Sequence, residues 1–134
     1  MSQENVEIVR EQFEATNRRD FARPMADWAE DIEVVYRIKE GDIRSGTYSG
    51  REAVGEFFGS WFREFRRVQF ELLEIRDGGD SVAVAARHRA QGKRTGIEVG
   101  DDFFYEYRLR GGKIVRITFH LSWSGALEAV GLRE

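Results

Sequence analysis

Between Asn5 and Arg18 apolar residues recur at helical spacing: Val6, Val9 and Phe13, with Ile8 beside them, share one face. Glu4 and Glu7 stand near the start, where the positive end of a helix dipole favours them. Asp20 is placed to cap a second, short helix from Phe21 to about Trp28, with Pro24 in or beside the first turn, where amides lack partners. Val34, Val35, Tyr36 and Ile38 form a β-favouring run, predicting a strand from about Ile32 to Ile38, and the glycine-bearing Gly41–Gly50 stretch reads as an irregular excursion.

Ser49-Gly50-Arg51-Glu52 fits a capping box for a third helix. From there Ala53, Phe57, Trp61 and Phe65 step by four, flanked by Val54, Phe58 and Phe62. A stripe this broad can face two things, so two readings stand: plain core, or a stripe of which part, Trp61 above all, walls a ligand cavity. After Arg67 the period changes to two. Turns at Asp77–Asp80, Gly92–Gly96 and Arg110–Lys113 divide the remainder into strands of about Val68–Arg76, Ser81–Gln91, Ile97–Arg110 and Lys113–Trp123. Ser124 then caps a last helix, Gly125 to Val130. Helices early and long antiparallel strands late define an α+β fold, a curved sheet wrapped over three helices in the order α-α-β-α-β-β-β-β with a short C-terminal helix.

A chain of 134 residues points to one domain spanning 1–134. Its ten Phe, four Tyr and three Trp supply enough aromatic surface for a core and a lined cavity. Lys and Arg number 21 against 24 Asp and Glu, a net charge of −3 without a basic tail, which disfavours nucleic acid as a partner. The basic stretch Arg87, Arg89, Lys93 and Arg94 reads as a solvated face. No cysteine is present, so disulfides, thiolate nucleophiles and cysteine zinc sites are excluded. The acidic N-terminus and the lack of a long apolar run predict neither signal peptide nor membrane span, and a cytoplasmic protein. Two histidines without a His-Glu-x-x-His spacing, and glycine pairs confined to hairpins, predict no metal and no cofactor.

Several segments carry a family resemblance. Ser2–Arg10, the Asn17-Arg18-Arg19-Asp20 turn, Tyr48–Val54, the Gly111–Arg116 hairpin and the closing Ala126–Leu132 resemble SnoaL-like proteins of the nuclear transport factor 2-like superfamily. That resemblance spans the whole chain. It implies a cone of curved antiparallel sheet closed by three helices, and a homodimer formed through the outer sheet face. It is specific for fold and weak for function, since the same cone hosts polyketide cyclases, ketosteroid isomerases and dehydratases. Aligned with the isomerases, Tyr36 stands where their base sits, Tyr105 where their neutral acid sits, and Gln12 where a first-helix tyrosine sits. A phenol with an ordinary pKa of about 10 is a poor base and a serviceable proton donor, so steroid isomerisation is disfavoured.

Inward positions are the candidates for chemistry. Phe103, Tyr105, Tyr107 and Leu109 share one strand face, and Phe104, Glu106, Arg108 and Arg110 mark the other as outward. Val115, Ile117, Phe119 and Leu121 share the apolar face of the last strand, leaving His120 as a surface or interface residue. Bulk and charge place His88 inward, whereas simple pairing through the Gly92–Gly96 turn places Arg87 there. A bulge that turns His88 inward reconciles the two. The predicted catalytic residues are Tyr105, Tyr107 and His88, with Tyr36, Phe57, Trp61, Phe103 and Phe119 lining the ligand. Such a pocket suits a small hydrophobic carbonyl compound, for cofactor-independent cyclisation, isomerisation or dehydration. The alternative is a module that binds such a molecule unchanged or serves dimerisation.

Overall fold

In the computed structural model, which describes residues 2–36 and 43–133, the elements run α1 (Ser2–Asn17), α2 (Ala22–Ala26), β1 (Trp28–Tyr36), β2 (Gly46–Ser49), α3 (Arg51–Glu64), β3 (Gln69–Asp77), β4 (Ser81–Gln91), β5 (Glu98–Arg110), β6 (Lys113–His120) and α4 (Trp123–Ala129). Six strands form one sheet in the order β2-β1-β6-β5-β4-β3. All neighbours are antiparallel except β1 and β6, which run parallel. The mixed α+β architecture with a curved sheet is the one anticipated.

Three helices lie on the concave face, where the larger core cluster gathers Val9, Phe13, Ile32, Val54, Phe57, Tyr105 and Ile117. Asn17 ties the end of α1 to the edge strand β3: its amide donates to the Phe70 carbonyl and accepts from the Phe70 N–H, both at 2.8 Å. The cap position of α2 is Phe21 rather than Asp20, and Asp20, one residue earlier, accepts from the Arg23 N–H at 3.2 Å.

Several local expectations are corrected. The Gly41–Gly50 excursion contains a strand, β2, paired with β1 from Tyr36↔Gly46 to Glu33↔Ser49, while Ile38 and Gly41 lie outside the described residues. Because Ser49 sits opposite Glu33, its hydroxyl donates across the strands to the Glu33 carboxylate at 3.4 Å and does not cap α3. The cap position falls to Gly50, whose φ of +90° suits a residue without a Cβ. At the other end β6 stops at His120, leaving Leu121 74% exposed, and Ser122 rather than Ser124 caps α4 by accepting from the Gly125 N–H at 3.0 Å.

Register also differs. β4 and β5 pair without a break from Ser81↔Arg108 to Gln91↔Glu98, so no bulge is needed there. The connection 92–97 places Arg87 opposite Asp102 and His88 opposite Asp101, which turns His88 inward as anticipated. The shifts lie elsewhere, between Trp28 and Glu33 in β1, at Leu73 in β3 and at Val115 in β6, and the last buries Ile114 where Val115 was expected. The outer face is not wholly solvated. Ala126 and Leu127 of α4, with Val130 just past its end, cover Ala83 and Phe104. Glu106 on that face is only 8% exposed, with His120 Nε2 3.0 Å from its carboxylate.

Candidate functional site

Between the three helices and the sheet lies a cavity of about 260 Å³. α1 presents Gln12, Phe13 and Thr16 to it, residues one turn apart on one face. α3 presents Gly55, Phe58, Gly59 and Phe62, again a single helical stripe. Trp28 of β1, Met25 of α2, Phe70 of β3, Tyr105 and Tyr107 of β5 and Ile117 of β6 complete most of the wall. Phe21 stands at the rim, 45% exposed, its ring 4.7 Å from that of Phe62.

The polar groups of this wall divide into spent and unspent. Gln12 is spent: its amide donates to the Pro24 carbonyl at 3.2 Å and accepts from the Trp28 indole N–H at 2.9 Å, fastening α1 to α2 and β1. The Thr16 hydroxyl donates to the Gln12 carbonyl at 2.8 Å. Tyr105 and Tyr107, both buried, make no hydrogen bond with any described residue. Their rings lie 5.9 Å apart, and the Phe13 ring meets both edge-on. Burial pushes both phenols above their ordinary pKa, with Tyr107 and Tyr36 adding to the effect at Tyr105. At neutral pH they are therefore proton donors. None of the described residues lining the cavity carries a charge.

The other residues singled out in the sequence gather beside the cavity and fill their own space. His88 is 3% exposed and ringed by Trp61, Phe65, Phe70 and Phe103 at centroid distances of 5.3–6.1 Å. Its Nε2 has no hydrogen-bond partner among the described residues. Burial lowers its pKa, with Asp101 pulling more weakly the other way. Tyr36 packs on Phe57, Trp61 and Phe119, and Phe119 in turn on Phe103. None of Tyr36, Phe57, Trp61, His88, Phe103 or Phe119 lines the cavity. Of the predicted site, only Tyr105 and Tyr107 do. Tyr105 joins the two regions, its ring 4.8 Å from Phe119. Sequence reasoning missed Gly55 and Gly59. Their signal was two glycines four residues apart inside a helix, where each weakens the helix relative to alanine.

Comparison with known proteins follows this geometry. TerC co-crystallised with polyporic acid superposes with a TM-score of 0.77 at 21% identity, over 96% of this chain and 98% of that one. A nuclear transport factor 2-like protein from Burkholderia thailandensis gives 0.75 at 28%, over 86% and 88%. A Catenulispora acidiphila protein with a ketosteroid isomerase-like fold, in complex with trimethylamine, gives 0.74 at 21%, over 94% and 93%. No functionally curated protein matches the chain. The model of the SnoaL-like domain matches residues 9–117, most of α1 through the greater part of β6, and the chain belongs to that family.

Proposed function

We propose that the cavity binds a small, neutral, mostly apolar carbonyl compound whose oxygen accepts hydrogen bonds from Tyr105 and Tyr107. The observation that carries this is the pair of phenols that line the cavity without a hydrogen-bond partner among the described residues, none of which brings a charge to the lining. A donor that faces a cavity rather than a protein partner is free to bond a ligand oxygen. A carboxylate would lose its hydration with no cation to meet it, which favours a neutral guest. The volume lies just below the ~300–1,000 Å³ of drug-sized sites and sets a small upper size. The ligands held by TerC and by the Catenulispora protein support a ligand-holding role for this fold.

Two donors aimed at one carbonyl also form the acid half of a cofactor-independent cyclase, isomerase or dehydratase, because they stabilise the oxyanion that develops as the carbonyl enolises. Among the described residues the lining includes no carboxylate or imidazole, and in this reading the base is the substrate's own group or water. His88 stands outside this step unless Phe70 moves aside. In the same reading the chain pairs with a second copy through the outer sheet face, and light scattering at twice 15.5 kDa supports that whereas a monomer mass overturns it.

The test is a panel of cyclic and aryl ketones and 1,3-diketones, followed by the fluorescence of Trp28 in the cavity wall and by mass spectrometry. Saturable quenching that weakens in the Tyr105→Phe, Tyr107→Phe double variant supports the binding reading. Product formation lost in the same variant supports the catalytic one. A wild-type protein that binds nothing on the panel defeats both.

A further inference from the structure

Nothing in the protein's own packing asks for glycine at positions 55 and 59. Neither residue has a positive φ. A Cβ at Gly55 would lie 3.7 Å from Met25 Cε, an ordinary contact, and one at Gly59 would lie 3.3 Å from the guanidinium end of Arg63, a flexible neighbour. Both sit inside α3, where alanine favours the helix and glycine does not. Both line the cavity, one turn apart, together with two phenols that are 3% and 4% exposed and bond no described residue. Leaving out two side chains therefore weakens the helix and returns only space. We infer that Gly55 and Gly59 are specificity-determining residues, whose bare backbone forms a flat wall against which a planar one- or two-ring ketone lies face-on, its carbonyl turned to Tyr105 and Tyr107.

Geometry gives the shape. Phe58 and Phe62 border the glycines on the same helix stripe, and Phe13 of α1 lines the same cavity. A bare stretch of backbone bordered by rings offers a flat ring contact over its whole face and a globular one little. Atomic volume alone does not separate the two, since cavities discriminate by contact as well as by size.

The inference rests on the ligand-pocket reading above, and one titration separates their failures. Wild type, Gly55→Ala and Gly59→Ala are titrated with 1-tetralone, a planar bicyclic ketone, and with 2-adamantanone, a cage-shaped ketone of the same heavy-atom count, with melting temperatures recorded in parallel. Wild type is expected to bind 1-tetralone about tenfold or more tighter than 2-adamantanone, and each alanine to weaken 1-tetralone by a similar factor, as one methyl in a fitted pocket does. Melting temperatures of the variants are expected to equal or exceed that of wild type. Equal affinity for the two shapes in wild type, or undiminished 1-tetralone binding in both variants, overturns the inference and leaves the pocket reading standing. A lower melting temperature in both variants overturns it too, because it shows that the packing does need glycine. Wild type that binds neither ketone overturns the pocket reading, and the inference with it.

Discussion

One helix builds two unlike regions. On one stripe of α3, Phe57 and Trp61, with Phe65 just past the helix end, interlock with Tyr36, His88, Phe103 and Phe119. On the neighbouring stripe Gly55 and Gly59 leave the cavity open toward Tyr105 and Tyr107. The filled region holds a titratable group whose Nε2 has no partner among the described residues. Among the described residues, the open region holds two phenol donors and no carboxylate or imidazole. Aromatic rings line both regions, so aromatic content does not tell them apart; the missing side chains at Gly55 and Gly59 do.

Truncation breaks the filled region hardest. Phe57→Ala, deleting a ring that touches Tyr36, Tyr48, Phe58 and Phe119, is expected to cost about 3–5 kcal/mol in a urea melt. Trp61→Ala should land below it, because that ring is half-buried and keeps contact with solvent. If Trp61→Ala proves the more damaging, the centre of the filled region has been misplaced.

In the open region the same logic runs through function rather than stability. If the protein turns a ketone over, Tyr105→Phe or Tyr107→Phe should lower kcat by about 10²–10³, as losing one oxyanion donor does. Binding alone should lose about 0.5–1.5 kcal/mol per hydroxyl. Melts of both variants should stay close to wild type, since each keeps the packed ring and removes a hydroxyl that bonds no described residue.

His88→Phe tests the orphaned nitrogen. Replacing it with a ring suited to an aromatic surround is expected to stabilise by about 1–3 kcal/mol, the usual cost of an unsatisfied buried polar group. The pH dependence has a definite sign. The folded pKa lies below the ordinary 6.5, so above that pH the imidazole is neutral in both states. As pH falls below 6.5 the unfolded chain takes up a proton that the folded chain resists, and stability falls. His88→Phe should flatten that slope; an unchanged slope assigns it to other groups.

The smallest effect concerns the phenols. Burial raises both pKa values, so Tyr105 and Tyr107 should stay neutral through pH 10 and ionise only as the chain unfolds. An ultraviolet titration reads this directly. Early ionisation in the folded protein, lost in the Tyr→Phe variants, would show that water reaches both hydroxyls freely.

How much of this was legible in the chain depends on how local each cause is. The period-two segments located β4 and β5 closely, and the alternation on β5 put Tyr105 and Tyr107 inward, because neighbouring side chains on a strand point to opposite faces whatever surrounds them. The helical stripes of α1 and α3 follow from spacing in the same way. Caps and register did not. Ser49 prefers Glu33 across the sheet to the amides of α3, and the break at Val115 in β6 depends on what each partner strand offers. The outer face read as outward and open to a second copy, and the cover α4 lays over Ala83 and Phe104 was not legible because α4 lies far along the chain and meets them only after folding. The cavity is the least local feature of all. It is the space left when α1, α2 and α3 settle on the sheet, so its emptiness belongs to no single residue. From sequence it could be glimpsed only through two glycines that the helix would be more stable without.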